Sequence, residues 1–382
     1  MGNKLMHASI EQVHDLDKIK SAWLALEKRT TSSFFLRWTW IGPWAELVLR
    51  ETELYLFRCE SEGEVIALCF LTLSGQKRLK NIIPTRQVHL NEYLPEEYDM
   101  VMQYNDILTD DAVPDKSEVW RMLFNNLAEW PVSWDEINIR SVTEECHGQI
   151  LNAASRFKIM PDKEDMTWRV PLNPDYTDFE HLLPVFKRKS RQQLKQSIKA
   201  YKQEIGDISW HVAENLDEAL SYFSAMEELH TRRWEKVNVE GAFSNKKWVD
   251  FNTNVIKEGF AKGEILLIKI SCESTVMGYL YGFLYEGIAY MYQTGFVNTA
   301  ENKLRPGYVS HLCAMIYCAE NNISAYDFLP DPPGSYKRFF AESDEPVYHF
   351  RLQRFRVKFA LENFIRWLRD VVKAKDTADS DR

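Results

Sequence analysis

Apolar residues recur along this chain with two periods, one typical of helices and one typical of strands. In residues 10–29 they fall every three or four positions, which predicts an amphipathic helix. A second helix is predicted over 38–50, after a polar break that suits a helix cap. Strands at 54–59 and 65–73 flank a turn at Glu62-Gly63. The chain therefore opens with two helices and a strand hairpin.

The later periodic segments repeat this order. In the first half, strands are predicted at 87–90, 106–108, 136–140 and 166–172, and a helix capped by Ser117 at 117–130. In the second half, helices at 217–234 and 245–260 precede strands at 264–271, 276–285 and 288–296. Cys-Glu-Ser stands in the corresponding hairpin turn of each half, at 59–61 and 272–274. This repeat predicts two similar domains, 1–172 and 173–382.

The segment 290–340 carries the clearest local signals. After a strand pattern, a Pro-Gly turn breaks the chain before an apolar helix at 308–320, and a strand at 325–329 and a polar loop follow. A glycine at a helix start lets the backbone approach a ligand, and the first-turn N–H groups attract negative charge. A turn that merely starts a helix is the structural alternative. The candidate phosphate-binding residues are Arg305, Pro306, Gly307 and Tyr308.

These motifs resemble the CelD-like branch of the GNAT acyltransferases, over roughly residues 175–345. The similar positions are Leu229-His230-Thr231-Arg232-Arg233-Trp234, Gly241-Ala242-Phe243-Ser244, Pro306-Gly307, Tyr326-Asp327-Phe328-Leu329 and Tyr336-Lys337. That branch usually carries Ser before the Pro-Gly turn, where this chain has Arg305. Its loop before Tyr-Lys often reads Gly-Asp-Glu, where this chain has Asp-Pro-Pro-Gly-Ser at 331–335.

The resemblance implies an α/β (α+β) fold of tandem GNAT-like domains, each a mixed, mostly antiparallel sheet flanked by helices. It implies an acyl-CoA donor, such as acetyl-CoA, and an amino sugar or surface-polysaccharide precursor as acceptor. Because only the second half keeps a Pro-Gly helix start, the first half is expected to bind no CoA and to shape the acceptor cleft. The aromatic residues within 34–44 would line that cleft or pack between helices.

One candidate catalytic group lies on the predicted helix at 217–234. His230 and Arg233 are i, i+3 neighbours, and Trp234 is adjacent. A histidine titrates near neutral pH and suits a base, while an arginine suits a carboxylate or phosphate of the substrate. Trp234 would contribute to substrate binding. The structural alternative is a core tryptophan beside two solvated cations.

A second candidate group surrounds the strand at 325–329. Asp327 would accept the acceptor's proton, and Tyr336 would donate a proton to the leaving thiolate. Lys337 and the mid-strand Gln293 are candidates for substrate binding. Structural roles remain open for these residues, since Asp327 could bind loop backbone, Tyr336 could pack, and Gln293 could point outward.

The charge of the chain limits the classes of partner that it is expected to bind. The net charge of −9 argues against broad nucleic-acid binding. One predicted helix is nevertheless basic, with cations at Lys187, Arg191, Lys195 and Lys199. This row would be a solvated face, a site for the 3′-phosphate of CoA, or a contact for aminoacyl-tRNA, which the Fem-type transferases of similar tandem design use. A third reading is a non-catalytic GNAT-like scaffold in polysaccharide biosynthesis.

The remaining features bear on cofactors and location. The six cysteines lack metal-ligand spacing, so no metal is expected. The first residues lack the apolar core of a signal peptide, and no apolar run is long enough to span a membrane, which predicts a cytoplasmic protein. A C-terminal helix at 354–375 mixes aromatic residues and cations, and would contact an acidic membrane surface or dock on its own domain. The oligomeric state stays open.

Overall fold

A computed structural model describes residues 6–78, 82–93, 100–235, 241–299, 301, 303–362 and 364–365, without the side chains of 233–235 and 344. The strands are β1 (Met6–Gln12), β2 (Leu54–Ser61), β3 (Glu64–Arg78), β4 (Ile83–Leu90), β5 (Leu108–Thr109), β6 (Glu136–Thr143), β7 (Lys158–Pro171), β8 (Ile208–Val212), β9 (Ile265–Cys272), β10 (Thr275–Tyr285), β11 (Ile288–Phe296), β12 (Ala325–Asp327) and β13 (Ser343–Gln353). The helices are α1 (Leu16–Glu27), α2 (Trp38–Leu49), α3 (Lys116–Glu129), α4 (Glu144–Ala153), α5 (Phe179–Leu182), α6 (Arg188–Glu204), α7 (Leu216–Glu235), α8 (Lys246–Gly259) and α9 (Pro306–Glu320).

One continuous sheet joins both halves of the chain. Its strand order is β1-β2-β3-β4-β6-β13-β7-β12-β11-β10-β9-β8, and β5 pairs with β3. Most neighbours are antiparallel, but β4 with β6 and β11 with β12 are parallel. The two parallel pairs occupy equivalent places in a repeated order of one strand, two helices, three strands, a helix and a strand. The predicted repeat is therefore visible as matching topology.

The two halves exchange strands at the centre of the sheet. β7 closes the first half of the chain, yet it pairs with β12 of the second half. β13 closes the second half, yet it pairs along its length with β6 of the first half and with β7. The predicted division at residue 172 falls just after β7, and as a domain boundary it stays a prediction.

Aromatic side chains also join the halves. The rings of Phe34 and Phe283 stack with centroids 4.1 Å apart, and the Trp40 ring lies edge-on to Phe251 at 4.8 Å. Phe34, Phe35 and Trp40 are at most 1% exposed. Burial of such large rings is a major contribution to folding free energy. The first-half aromatic cluster therefore forms core between the halves and does not line an open cleft.

Several predicted elements need correction. The helix predicted over 10–29 begins only at Leu16, because Asp15 caps it by accepting a hydrogen bond from the backbone N–H of Asp17, and the preceding residues form β1. The cap of α3 is Asp115, and Ser117 lies inside the helix. β1, β8, β13 and α4 were not predicted.

None of the helices described is long and apolar enough to cross a bilayer. Within the same residues, no group of three or more histidine, cysteine, aspartate or glutamate side chains is arranged to hold a metal ion.

Candidate functional site

The parallel strands β11 and β12 diverge in the middle of the second half. β11 and β12 pair only from Ile288–Ala325 to Tyr290–Asp327. Beyond that point β11 continues along β10 to Phe296. The chain after β12 instead follows β7, because the N–H of Phe328 donates to the carbonyl of Trp168 (2.9 Å) and Asp331 bridges to Met166. We call the gap between residues 291–296 and 328–331 the notch.

A β-bulge shapes the β11 side of the notch. Tyr281 faces Gln293 across the ladder, but Gly282 faces Met291, so Tyr292 is the extra residue. The indole Nε1 of Trp248 donates to the Tyr292 hydroxyl at 3.1 Å. Gln293, a predicted substrate ligand, is half-buried beside the bulge, and its side-chain oxygen accepts from the N–H of Thr294.

The start of α9 lies at the open end of the notch. A Cβ on Gly307 would come within 2.9 Å of the Phe296 ring at the end of β11, so only glycine permits this approach without a shift. Tyr308 stacks on Phe339, beyond β12, with centroids 4.2 Å apart. Arg305, the N-cap, has a left-handed φ of 44° and donates from Nη1 to Gln193 of α6 at 2.8 Å. These contacts hold the helix start between the two edges.

His311 closes the notch on the side of α9. Its ring packs against Phe296 and Phe328, on opposite edges of the notch, and its Nδ1 lies 2.7 Å from the Tyr326 hydroxyl. Burial lowers the pKa of His311 to about 3, so the imidazole is neutral at physiological pH. The histidine therefore contributes packing and a hydrogen bond without a charge.

A buried ionic cluster lies at the closed end of the notch, where the strands part. Asp327 is fully buried, and its Oδ2 accepts from Tyr104 Oη (2.8 Å) and from Arg169 Nη2 (2.9 Å). Its Oδ1 accepts from the N–H of Leu329 at 2.7 Å. Burial and the neighbouring carboxylate raise the pKa of Tyr104 well above its usual value, so the phenol stays protonated. Asp327 of the second half is thus hydrogen-bonded to two side chains of the first half.

Backbone strain marks the same cluster. Tyr104 (φ 49°) and Leu329 (φ 65°) both adopt left-handed conformations that such residues rarely take. Both donate a hydrogen bond to Asp327, Tyr104 from its hydroxyl and Leu329 from its backbone N–H. Strained residues held by their surroundings concentrate at functional sites, which supports this region as the site.

A cavity of about 250 Å³ opens beside the cluster. Arg169 and Tyr290 form one part of its wall, and Tyr290 is the last residue of β11 that pairs with β12. Other lining residues belong to the first half, among them Asp106 and Cys146. The serine and threonine residues 30–33 also line it. The lining is therefore partly polar, and Tyr290 places the cavity beside the closed end of the notch.

Asp106 is an ionisable lining residue of this cavity whose pKa is raised. Its Oδ1 accepts from the N–H of Ile107 (2.7 Å) and from Cys146 Sγ (3.3 Å). Burial raises the pKa of Asp106 to about 6, although these hydrogen bonds oppose the shift. Burial also raises the pKa of the Cys146 thiol, which therefore stays protonated and acts as a donor to the carboxylate. A carboxylate with this pKa suits general-base chemistry.

The predicted residues of the loop after β12 lie in two environments. Tyr336 is 52% exposed at the start of a 3₁₀ turn. Lys337 is largely buried, with its Nζ donating to the carbonyl of Leu329 (3.0 Å) and lying 3.4 Å from Asp331. Burial lowers the pKa of Lys337 against the opposing effect of Asp331. Lys337 therefore braces the loop that forms the β12 edge of the notch.

His230 of the helix α7 group packs against aromatic residues of the second half. His230 is buried, with its ring 5.0 Å from Phe243, whose ring contacts Trp248. The side chains of Arg233 and Trp234 lie outside the described residues. The roles predicted for His230, Arg233 and Trp234 stay predictions, as do those of Asp327, Tyr336, Gln293 and Lys337.

Comparisons with known proteins address the fold. Residues 188–338 match the family model Acetyltransf_6, the acetyltransferase (GNAT) domain. The second half of the chain contains a GNAT domain. No curated protein gives a significant match to the sequence.

Solved structures match across both halves. The structure of FemX is 13% identical, with 89% of this chain and 96% of that chain covered and a TM-score of 0.57. The C-terminal domain of a putative lysylphosphatidylglycerol synthetase from Agrobacterium fabrum is 10% identical, with coverages of 92% and 95% and a TM-score of 0.53. A conserved protein of unknown function from Bacteroides thetaiotaomicron is also 10% identical, with coverages of 91% and 100% and a TM-score of 0.52. These likenesses show the fold, and the predicted class of tandem GNAT-like domains is confirmed.

Sequence reasoning missed Tyr104, Asp106, Cys146 and Arg169. They come from separate segments of the first half. Tyr104 and Arg169 contact Asp327 of β12, and Arg169 reaches it because β7 pairs with β12. Asp106 stands at the start of a predicted strand, and nothing in its local pattern points to β12. The Asn-Asp pair at 105–106, between apolar segments, was the one local signal.

Proposed function

We propose that the protein is an acyl-CoA-dependent N- or O-acyltransferase of the CelD-like branch that acetylates an amino sugar or a surface-polysaccharide precursor in the cytoplasm. The parting of β11 from β12 carries this proposal. It creates a notch with a helix start at its open end and a polar cavity at its closed end. A donor in the notch would present its acyl group to an acceptor in the cavity.

The notch suits the donor on chemical grounds. Beyond Tyr290, the β11 edge no longer pairs with β12, so its backbone groups match an amide-containing arm such as pantetheine. The α9 start, with Arg305 at the N-cap and no acid in its first turn, suits the pyrophosphate. Arg305, Pro306, Gly307 and Tyr308 are thus the proposed phosphate-binding residues.

The cavity suits a small polar acceptor. Its serine and threonine residues 30–33 match the hydroxyls of a sugar, and Asp106 matches an ammonium group. In the proposed reaction the acceptor nitrogen or oxygen attacks the thioester carbonyl carbon and loses its proton to Asp106. The carbon–sulfur bond breaks, and Tyr336 is the proposed proton donor to the departing thiolate. Arg169 and Tyr104 hold the wall of the cavity in place through Asp327.

The test is an assay of purified protein with acetyl-CoA and a panel of hexosamines. The expected result is release of CoA thiol together with an acceptor heavier by one acetyl group. Glu129→Gln, an exposed substitution on α3, serves as a control that keeps activity. Hydrolysis of acetyl-CoA at the same rate with and without every amino sugar would contradict this acceptor class.

The basic row on α6 favours a second candidate, an aminoacyl-tRNA-dependent transferase of Fem type. Of the predicted row, Lys187 pairs with Glu342 at 2.8 Å. Arg191, Lys195 and Lys199 line one groove together with Arg188, and these four form no ion pair with another described residue. A thermal-shift comparison separates the candidates: acetyl-CoA would stabilise the first, and only tRNA would stabilise the second. Stabilisation by neither would favour a non-catalytic scaffold.

A further inference from the structure

The C-terminal helical segment, residues 357–362 and 364–365, presents apolar side chains to solvent. Its exposed apolar residues are Val357 (87%), Leu361 (54%), Phe364 (55%) and Ile365 (39%), and Phe355 (77%) is exposed just before it. The first four follow the spacing i, i+4, i+7, i+8, which places them on one side of a helix. We call these five residues the apolar stripe. A contiguous exposed stripe of this kind marks an interaction surface.

The other side of the segment is anchored to the protein. Phe359 and Glu362 are each 3% exposed. The Arg78 guanidinium lies 5.6 Å from the Phe359 ring centroid and 3.5 Å from a Glu362 carboxylate oxygen. Lys358 contacts Asp135 at 2.6 Å. These contacts fix the orientation of the segment, so the stripe faces outward as part of the folded structure.

Positive charge surrounds the apolar stripe. Arg356 and Lys158 are exposed beside it, and Arg354 lies over the Trp134 ring at 4.7 Å. The proximity of Arg356 contributes to a lowered pKa of Arg354, after burial. Among the described residues of 354–365, Glu362 is the acid, and Arg78 binds it. The surface is locally cationic on a chain whose net charge is −9.

We propose that the apolar stripe binds the surface of a membrane that contains anionic lipids. Aromatic and aliphatic side chains would insert at the boundary between head groups and acyl chains, and the flanking cations would contact lipid phosphates. A symmetric contact with a second copy would oppose the same cations, so charge complementarity favours lipid. This proposal is independent of the acyltransferase activity.

Vesicle co-sedimentation of the full chain tests the proposal. We expect binding to vesicles of phosphatidylcholine with phosphatidylglycerol, weak binding to phosphatidylcholine alone, and weakening by salt. The double variant Val357→Glu/Leu361→Glu should lower the partition coefficient about tenfold or more, because both apolar insertion and charge attraction are lost. Arg356→Glu should lower it less.

Val185→Glu is the matched control, since Val185 is also exposed (38%) but lies before α6. It should bind vesicles as the wild type does. Far-ultraviolet circular dichroism checks that each variant is folded. Equal binding by the wild type and the double variant would overturn the proposal. So would a wild type that ignores anionic vesicles and sediments as a dimer, which the double variant converts to a monomer.

Discussion

The two halves of the sheet contain equivalent parallel strand pairs, and in the described residues their ends differ. In the second half, β11 leaves β12 after Tyr290. In the first half, the end of β4 is held by amide side chains: Asn105 Nδ2 donates to the carbonyl of Leu90 (2.8 Å), and Asn91 Nδ2 donates to the carbonyl of Asp106 (2.9 Å). The last carbonyl of β4, which a donor could bind, is therefore already occupied.

The helices that connect the two strands of each parallel pair differ in charge at their starts. α9 begins with Arg305 and has no acid in its first turn. α3 begins with Asp115, which accepts from the N–H of Ser117 (3.0 Å), and has Glu118 in its first turn. Carboxylates at a helix start fill the anion site and repel phosphate. The two halves thus share a fold, but the start of α9 suits an anion, whereas the start of α3 is capped by its own aspartate.

The largest expected effect concerns the first half. Asp106→Asn should lower kcat by about 10²–10⁴-fold, because the amide cannot accept the acceptor's proton. Donor affinity should stay unchanged. Wild-type kcat should fall as the pH drops through about 6, since protonation of the raised-pKa carboxyl removes the base. Steady-state kinetics across pH 5–8 measures both, and an unchanged profile in Asp106→Asn would remove this residue from the mechanism.

Arg169→Met should destabilise the whole chain by about 3–5 kcal/mol, because it leaves the buried Asp327 charge without its partner. Arg169 lies on β7, the strand that the first half contributes to the second. Urea unfolding followed by tryptophan fluorescence gives the free energy. Arg58→Met, which breaks an exposed pair with Glu60, is the control and should cost about 1 kcal/mol or less. Equal losses in the two variants would mean that the cluster does not couple the halves.

Arg305→Asp should weaken acyl-CoA binding about 10–100-fold, because it gives α9 the acidic start of α3. Aspartate tolerates the left-handed conformation at this position. Calorimetry should find one acyl-CoA per chain in the wild type, and Asp115→Asn should leave that value and the affinity unchanged. Two acyl-CoA per chain would show that the first half also binds donor.

Turn residues and apolar periodicity in the sequence predicted helix positions, because both depend on neighbouring residues. The Pro-Gly turn located the start of α9 to within two residues, and α2 was predicted from 38 to 50 and found from Trp38 to Leu49. The cavity could not be predicted in this way. Tyr104 and Asp327 are 223 residues apart in sequence and meet through tertiary structure, and a periodicity argument contains no information about such a pair.

The exchange of β7 and β13 also affects how the chain folds during its synthesis. During synthesis the first half emerges first, but β6, which pairs with β4, gains its second neighbour only when residues 343–353 have been added. Until then one side of β6 is an unpaired edge, the kind of surface on which chains aggregate. Pairings across so many residues slow folding. The sheet of the first half therefore becomes complete only after residues 343–353 have been synthesised.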